Sequence, residues 1–185
     1  KMLVIIVVLV IVLFMLVKVM NYASGSVEEK NKYEPVLISA PVNAYDKSLS
    51  NNSVQVPNPV VGLELSYSFW IYVNDWDYKF GEWKNILVKG NTNGNSGVSP
   101  GIWLYPNTNA LHARISTSAD PNEGCDVQNI PLKKWVHVCY VLNNRSVDMY
   151  INGMLERSCV LKGIPQLNNA DLHVCQDGGF YGQIS

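Results

Sequence analysis

Apolar residues follow two different patterns along this chain. Over residues 2–17 (MLVIIVVLVIVLFMLV) they are continuous, and the run carries on past Lys18 through Val19 and Met20. Nineteen helical residues at about 1.5 Å each cover roughly 28 Å, close to the hydrocarbon thickness of a bilayer. The pattern predicts a single transmembrane helix over residues 1–20, with Lys18 near one end, where its stem can reach the headgroups. Two other readings fit less well. A signal peptide has a shorter apolar core, although Ala23-Ser24-Gly25 has the look of a cleavage site. A core helix apolar on every face would need a shell of protein around it. The flanking charges, Lys1 on one side and Lys18, Lys30 and Lys32 offset by Glu28, Glu29 and Glu34 on the other, do not set an orientation.

Residues 21–59 change to Ser, Asn, Glu, Lys and Pro, which is linker chemistry, with a candidate edge strand in 48–59 (SLSNNSVQVPNP). From Val60 onward the apolar period is two. Leu63, Leu65, Tyr67, Phe69, Ile71 and Val73 alternate with Glu64, Ser66 and Ser68, the signature of a strand with one buried face. Shorter strands are expected over 85–89, 101–105 and 111–117, separated by the polar glycine loop 90–97 (GNTNGNSG) and the reversal 106–109 (PNTN). Residues 135–142 (WVHVCYVL) read as a strand buried on both faces, returning over 147–151, and Asn152-Gly153 is a two-residue hairpin signal because both positions take positive φ. A strand over 154–161 follows, then a segment over 171–185 punctuated by Gly178-Gly179 and Gly182. No helical period recurs after the first segment, so residues 60–185 are expected to form an all-β sandwich.

Length and charge narrow the function. At 185 residues the chain holds one ordinary domain plus extras. A net charge of -1 and a pI near 6.3 leave no basic field for a polyanion, so nucleic acid is not an expected partner.

Several segments resemble a known family. The order SYSFWIYV, GIWLYP, a W-V-H-V strand, a turn and VDMYINGML is similar to the concanavalin A-like lectin/glucanase superfamily, in particular its laminin G-like jelly rolls, over about residues 60–185. The resemblance implies a two-sheet antiparallel jelly-roll sandwich. Residues 125–135 (CDVQNIPLKKW), 157–165 (RSCVLKGIP) and 178–182 (GGFYG) look like laminin G-like proteins of large DNA viruses of algae and protists. That likeness implies a membrane-anchored, non-enzymatic minor capsid or virion membrane protein, with a lipid bilayer and neighbouring coat or membrane proteins as partners. Family members usually continue past the G-x-I-S strand, so the C-terminus at Ser185 is expected to be incomplete.

Four cysteines, Cys125, Cys139, Cys159 and Cys175, lack the close pairs of a zinc site. Cys125 and Cys159 both fall in the segments of viral likeness, which implies a disulfide between them; Cys139 is expected as a free core thiol, or as the partner of Cys175. A disulfide, together with the sequons at Asn51 and Asn144, would fit a lumenal or external face.

Catalysis finds little support. Retaining glucanases need two carboxylates about 5–5.5 Å apart on one strand face, and Glu64, Asp75, Asp77, Glu82 and Asp148 show no such spacing. His112, His137 and His173 have no nucleophile elbow beside them. A surface lectin is the alternative function: Trp76, Trp83, Trp103 and Tyr105 are candidates for sugar stacking or an interface, with residues 91–95 as a polar rim. The duller assignment has Trp70 and Trp103 covering the second sheet face and Trp76 and Trp83 pinning a loop. No cofactor is expected. Calcium would have to use Asp120, Glu123 and Asp126 near Gly124, a cluster that reads as a solvated loop.

Overall fold

The computed structural model describes residues 2–50, 53–91 and 97–185. It divides into two units, Lys1–Val36 and Leu37–Ser185.

The first unit is one helix, α1 (Met2–Tyr33). Its window Val8–Gly25 is long and apolar enough to cross a membrane, and none of that window is buried within the protein. The helix runs thirteen residues beyond the expected end at residue 20, because nothing between Asn21 and Tyr33 breaks it: the first proline is Pro35.

Among the described residues the second unit holds twelve strands: β1 (Val42–Asn43), β2 (Ser53–Val54), β3 (Glu64–Val73), β4 (Lys84–Lys89), β5 (Gly101–Leu104), β6 (Leu111–Ile115), β7 (Glu123–Val127), β8 (Trp135–Asn143), β9 (Ser146–Ile151), β10 (Met154–Val160), β11 (Leu172–Val174) and β12 (Gly182–Ile184). They pair antiparallel into two six-stranded sheets. The first has the order β1-β12-β3-β8-β9-β10 and the second β2-β11-β4-β5-β6-β7. Alternation in β3 turns Phe69, Ile71 and Val73 inward, and they meet Val136, Val138, Tyr140 and Leu142 of β8 and, from the second sheet, Ile102, Leu104, Leu111, Ala113 and Ile115. Each large aliphatic side chain buried there contributes about 1.5–3 kcal/mol. The expected all-β sandwich is therefore present, with a four-residue helix, Lys47–Ser50, and a 3-10 turn, Gln176–Gly178, as its helical exceptions among the described residues.

Three details differ from the sequence pattern. Much of the expected linker belongs to the sandwich: Ala44 is fully buried, and Ile38, Val42, Leu49 and Val56 pack on the core. Their apolar side chains are too sparse to show a period, yet β1 and β2 each add an edge strand, β2 within the segment marked for one. Strand β8 is fully buried on one face only, since Trp135 is exposed and His137, Cys139 and Val141 are half-buried on the other. Strand β7 lies in a segment with no predicted strand; Asp126 and Gly124 dilute its apolar signal. The Asn152-Gly153 turn takes positive φ at both positions, 50° and 81°, as the hairpin requires.

Candidate functional site on the outer face of the second sheet

The register of β5, β6 and β7 sets Trp103, His112 and Asp126 side by side in one row. Because Ile102 and Leu104 turn inward, Trp103 turns outward, and its ring folds back over Gly101; a Cβ there would lie 2.2 Å from the indole. Gly124 plays the same part under His112, where a Cβ would lie 2.8 Å from the imidazole. Trp83, just before β4, and Tyr105, just after β5, close over this row. Their rings are 4.7 Å apart, and His112 lies 5.1 Å from Trp83, 5.7 Å from Tyr105 in an edge-on arrangement and 6.1 Å from Trp103. Such offset and edge-on pairs add about 0.5–1.5 kcal/mol each beyond the area they bury. Trp83 remains 47% exposed, which leaves a ring available to a ligand, whereas Trp103 is buried.

Asp126 organises the polar side of the cluster. Its carboxylate accepts the Tyr105 hydroxyl at 2.6 Å and the His112 Nδ1 at 2.6 Å. An ionised carboxylate only accepts, so Nδ1 carries the proton, and Nε2 is the ring nitrogen left to other partners. Burial, followed by the hydrogen bond and charge of Asp126, pushes the Tyr105 phenol up to about 12, so it stays a donor through the physiological range. The Arg114 guanidinium lies 4.8 Å over the Trp103 ring, a cation–π contact on the same face.

Behind the cluster an internal cation ties its two supporting turns. Lys84 is 1% exposed. Its ammonium donates to the carbonyls of Pro106 (3.0 Å), Tyr105 (3.4 Å) and Glu82 (3.5 Å) and sits 5.6 Å above the Trp76 ring. Burial lowers its pKa, with Glu82 opposing the shift. The turn carrying Trp83 and the turn carrying Tyr105 are thereby held together.

Of the residues singled out in the sequence, Trp83, Trp103 and Tyr105 come together and Trp76 does not: Trp76 is half-buried against the core beneath Lys84. His112, Asp126 and Arg114 complete the cluster. Their signal was available in part, since His112 and Arg114 share one face of a strand by alternation, but only the cross-strand register adds Asp126. Asn91 is exposed, and residues 92–95 of the expected rim lie outside the described residues. Trp70, 46% exposed, is on the outer face of the other sheet, with its ring 5.0 Å from His137; the His137 Nε2 is 2.8 Å from the Ser68 hydroxyl.

The three acids considered for calcium serve three separate ends. Glu123 accepts the Thr117 hydroxyl (2.7 Å) and the backbone N–H groups of Lys162 (2.7 Å) and Gly163 (2.9 Å), Asp120 caps the N–H of Asn122 (2.8 Å), and Asp126 belongs to the aromatic cluster. Burial alone would raise the Glu123 pKa, but the hydrogen bonds from Thr117, Lys162 and Gly163 hold it below the ordinary glutamate value. Among the described residues no three His, Cys, Asp or Glu side chains converge on a point that could hold a metal. Of the glucanase candidates, Asp75 accepts backbone N–H groups of its own turn and Asp148 accepts the Ser158 hydroxyl, while Glu64 is exposed at the start of β3.

Cys125 and Cys159 form a disulfide between β7 of one sheet and β10 of the other, with Cα atoms 5.9 Å apart. Cys139 and Cys175 are free thiols, half-buried and buried, so the alternative pairing of these two is not formed. Asn144 is exposed at the β8–β9 turn, and Asn51 lies outside the described residues.

Known structures share this sandwich. The binding domain of botulinum neurotoxin serotype D matches with a TM-score of 0.52 at 16% identity, covering 71% of this chain and 34% of that one. The binding domain of botulinum neurotoxin DC in complex with SialylT matches at 0.50 and 18%, covering 65% and 31%. The Ruminococcus gnavus IT-sialidase CBM40 bound to α2,3 sialyllactose matches at 0.50 and 10%, covering 65% and 72%. The chain thus spans about a third of the length of the two toxin domains. No curated protein sequence matches it. Residues 47–184 match a laminin G-type family of the concanavalin A-like lectin/glucanases superfamily, and the chain belongs to that family.

Proposed function

We propose that this protein binds glycans at a membrane surface, through the Trp83, Tyr105, His112 and Asp126 cluster, with α1 as its anchor. The observation that carries the reading is the half-exposed Trp83 ring braced by Tyr105 and His112. An apolar sugar face stacks on such a ring, while the rim offers a carboxylate at Asp126, an imidazole and a phenol as hydrogen-bonding groups for hydroxyls. Sugar is the ligand of the Ruminococcus gnavus domain; fold alone does not fix function, so the weight rests on the cluster. Binding rather than hydrolysis is favoured by the dispersal of the carboxylates, several of which are taken up by hydrogen bonds of their own. The disulfide favours an oxidising, lumenal or external side for the domain.

The test is a glycan-array screen of the full chain in detergent, with and without calcium, repeated on Trp83→Ala. Specific, calcium-independent binding lost in the variant, with the near-ultraviolet circular dichroism retained, is the expected result. A blank array, or binding indifferent to the substitution, would sink the proposal. The second reading, a minor capsid protein of a large DNA virus, is favoured only by the sequence segments 125–135, 157–165 and 178–182. Its signature is stoichiometric recovery with coat proteins from purified particles.

A further inference from the structure

The hydrogens of the aromatic cluster are already assigned by its own bonds. The Tyr105 hydroxyl gives its single proton to Asp126 at 2.6 Å, and with the phenol pushed up to about 12 that proton stays in place. Its oxygen therefore meets a ligand with lone pairs only. His112 likewise gives its Nδ1–H to Asp126 at 2.6 Å, so in the neutral ring Nε2 is an acceptor. Asp126 takes one donor on each oxygen, and its side chain is 40% exposed, which leaves further lone pairs toward solvent. The Trp83 indole N–H points along the plane of its ring, so a sugar stacked on the ring face does not receive it. Around Trp83 the cluster thus presents acceptors and a negative charge.

Neighbouring charges do not reverse this. Glu82, exposed and next to Trp83 in the chain, adds a second carboxylate. Lys84 is 1% exposed and its ammonium donates inward to the carbonyls of Glu82, Tyr105 and Pro106. Lys79 donates to the Asp177 carbonyl. Register places Arg114 opposite Gly101 and Gly124, about 7 Å along the strands from the His112 row and on the side away from Trp83, with its guanidinium laid on the Trp103 ring. Lys133 and Lys134 are exposed, but the N–H of Lys133 bonds the carbonyl of Val73, in the first sheet.

We infer that the cluster selects glycans by what they donate: it takes uncharged or amine-bearing sugars through their O–H and N–H groups and excludes those carrying a carboxylate or sulfate beside the stacked ring. The inference rests on the glycan reading of the cluster proposed above and narrows it to a ligand class. An anionic group has no hydrogen to give, so at this rim it loses water and gains only lone pairs and like charge. Rejection of the wrong ligand is as much a source of specificity as attraction to the right one.

The test compares matched pairs of immobilised glycans that differ only in an anionic group. They are oligogalacturonate methyl ester and free acid, sialyllactose methyl ester and free acid, and lactosamine, glucan and mannan oligomers beside their sulfated forms. The full chain is used in a detergent without a sugar headgroup, wild type beside Trp83→Ala and Asp126→Asn. Within each pair that binds, the uncharged member should bind at least about tenfold more tightly, the scale of one like-charge contact at a half-exposed site. Asp126→Asn removes the charge and should narrow that ratio; a ratio untouched in the folded variant would overturn the assignment to Asp126. Should that variant not fold, the wild-type ratio decides. If acidic members bind as well as uncharged ones, and the binding is lost in Trp83→Ala, the glycan reading stands and the inference is overturned. If no pair binds, or binding survives Trp83→Ala, the glycan reading itself fails and the inference falls with it.

Discussion

Replacing both Cys125 and Cys159 with alanine isolates what the inter-sheet disulfide does. The bond closes a loop of 34 residues between β7 and β10, and the chain-entropy relation for that length puts its contribution at about 3.8 kcal/mol at 25 °C. Cys125 is 3% exposed, so the lost sulfur also leaves a small void, adding about 1 kcal/mol. The native fold should nevertheless survive, because Glu123 holds the same junction through the N–H groups of Lys162 and Gly163. Most of the loss then comes from a freer unfolded chain rather than a looser folded one. For a domain of this size 1 kcal/mol corresponds to about 2–4 °C, so the melting temperature should fall by roughly 10–20 °C. Calorimetry of the full chain in detergent, beside wild type with and without reductant, measures it; reduced wild type should melt a few degrees above the variant. A fall of less than about 3 °C would refute the reasoning, since closing the loop would then not constrain the unfolded state. Loss of the folded state altogether would refute it differently, by showing that Glu123 cannot hold the junction alone.

Three further predictions concern named residues. Trp83→Ala should weaken binding of the best array ligand by roughly 30-fold, about 2 kcal/mol for truncating a central aromatic, as read by isothermal titration; an unchanged affinity would place the ligand elsewhere. The Glu123 carboxyl titrates below the ordinary glutamate value when folded, so its stabilisation is complete above the unfolded pKa near 4.5 and is lost as pH falls through the folded value. Glu123→Gln should therefore lower the melting temperature at pH 7 and narrow the gap to wild type toward pH 3; a gap independent of pH would contradict the assignment. For Lys84→Met two effects oppose, because methionine removes the cost of burying an ammonium but strands the Tyr105 and Pro106 carbonyls. The second should win by about 1–3 kcal/mol, and a variant as stable as wild type in thermal melts would show that the carbonyl cage does not need its cation.

Once the strands pair, neighbours in the site are set by cross-strand register rather than by position in the chain. Trp83 and Tyr105 are 22 positions apart and His112 and Asp126 fourteen, yet the four make one cluster. Trp76, seven positions before Trp83, is taken by the core instead. Composition alone could not separate these tryptophans, since all share the same sequence neighbourhood of polar and aromatic residues.

By itself the sequence determined the two periods, and with them a continuous apolar helix followed by a sandwich of alternating strands. Those patterns are local, because a side chain's face follows from its own strand or helix geometry. It also carried the Asn152-Gly153 turn, whose positive φ values are a property of the two residues. Tertiary structure alone decided that β1 adds an edge strand to the first sheet, that β8 hides one face and shows the other, and that Asp126 accepts hydrogen bonds from Tyr105 and His112. Each of these depends on which strand lies alongside, and pairing between distant segments is a choice among whole-chain arrangements that no local period encodes.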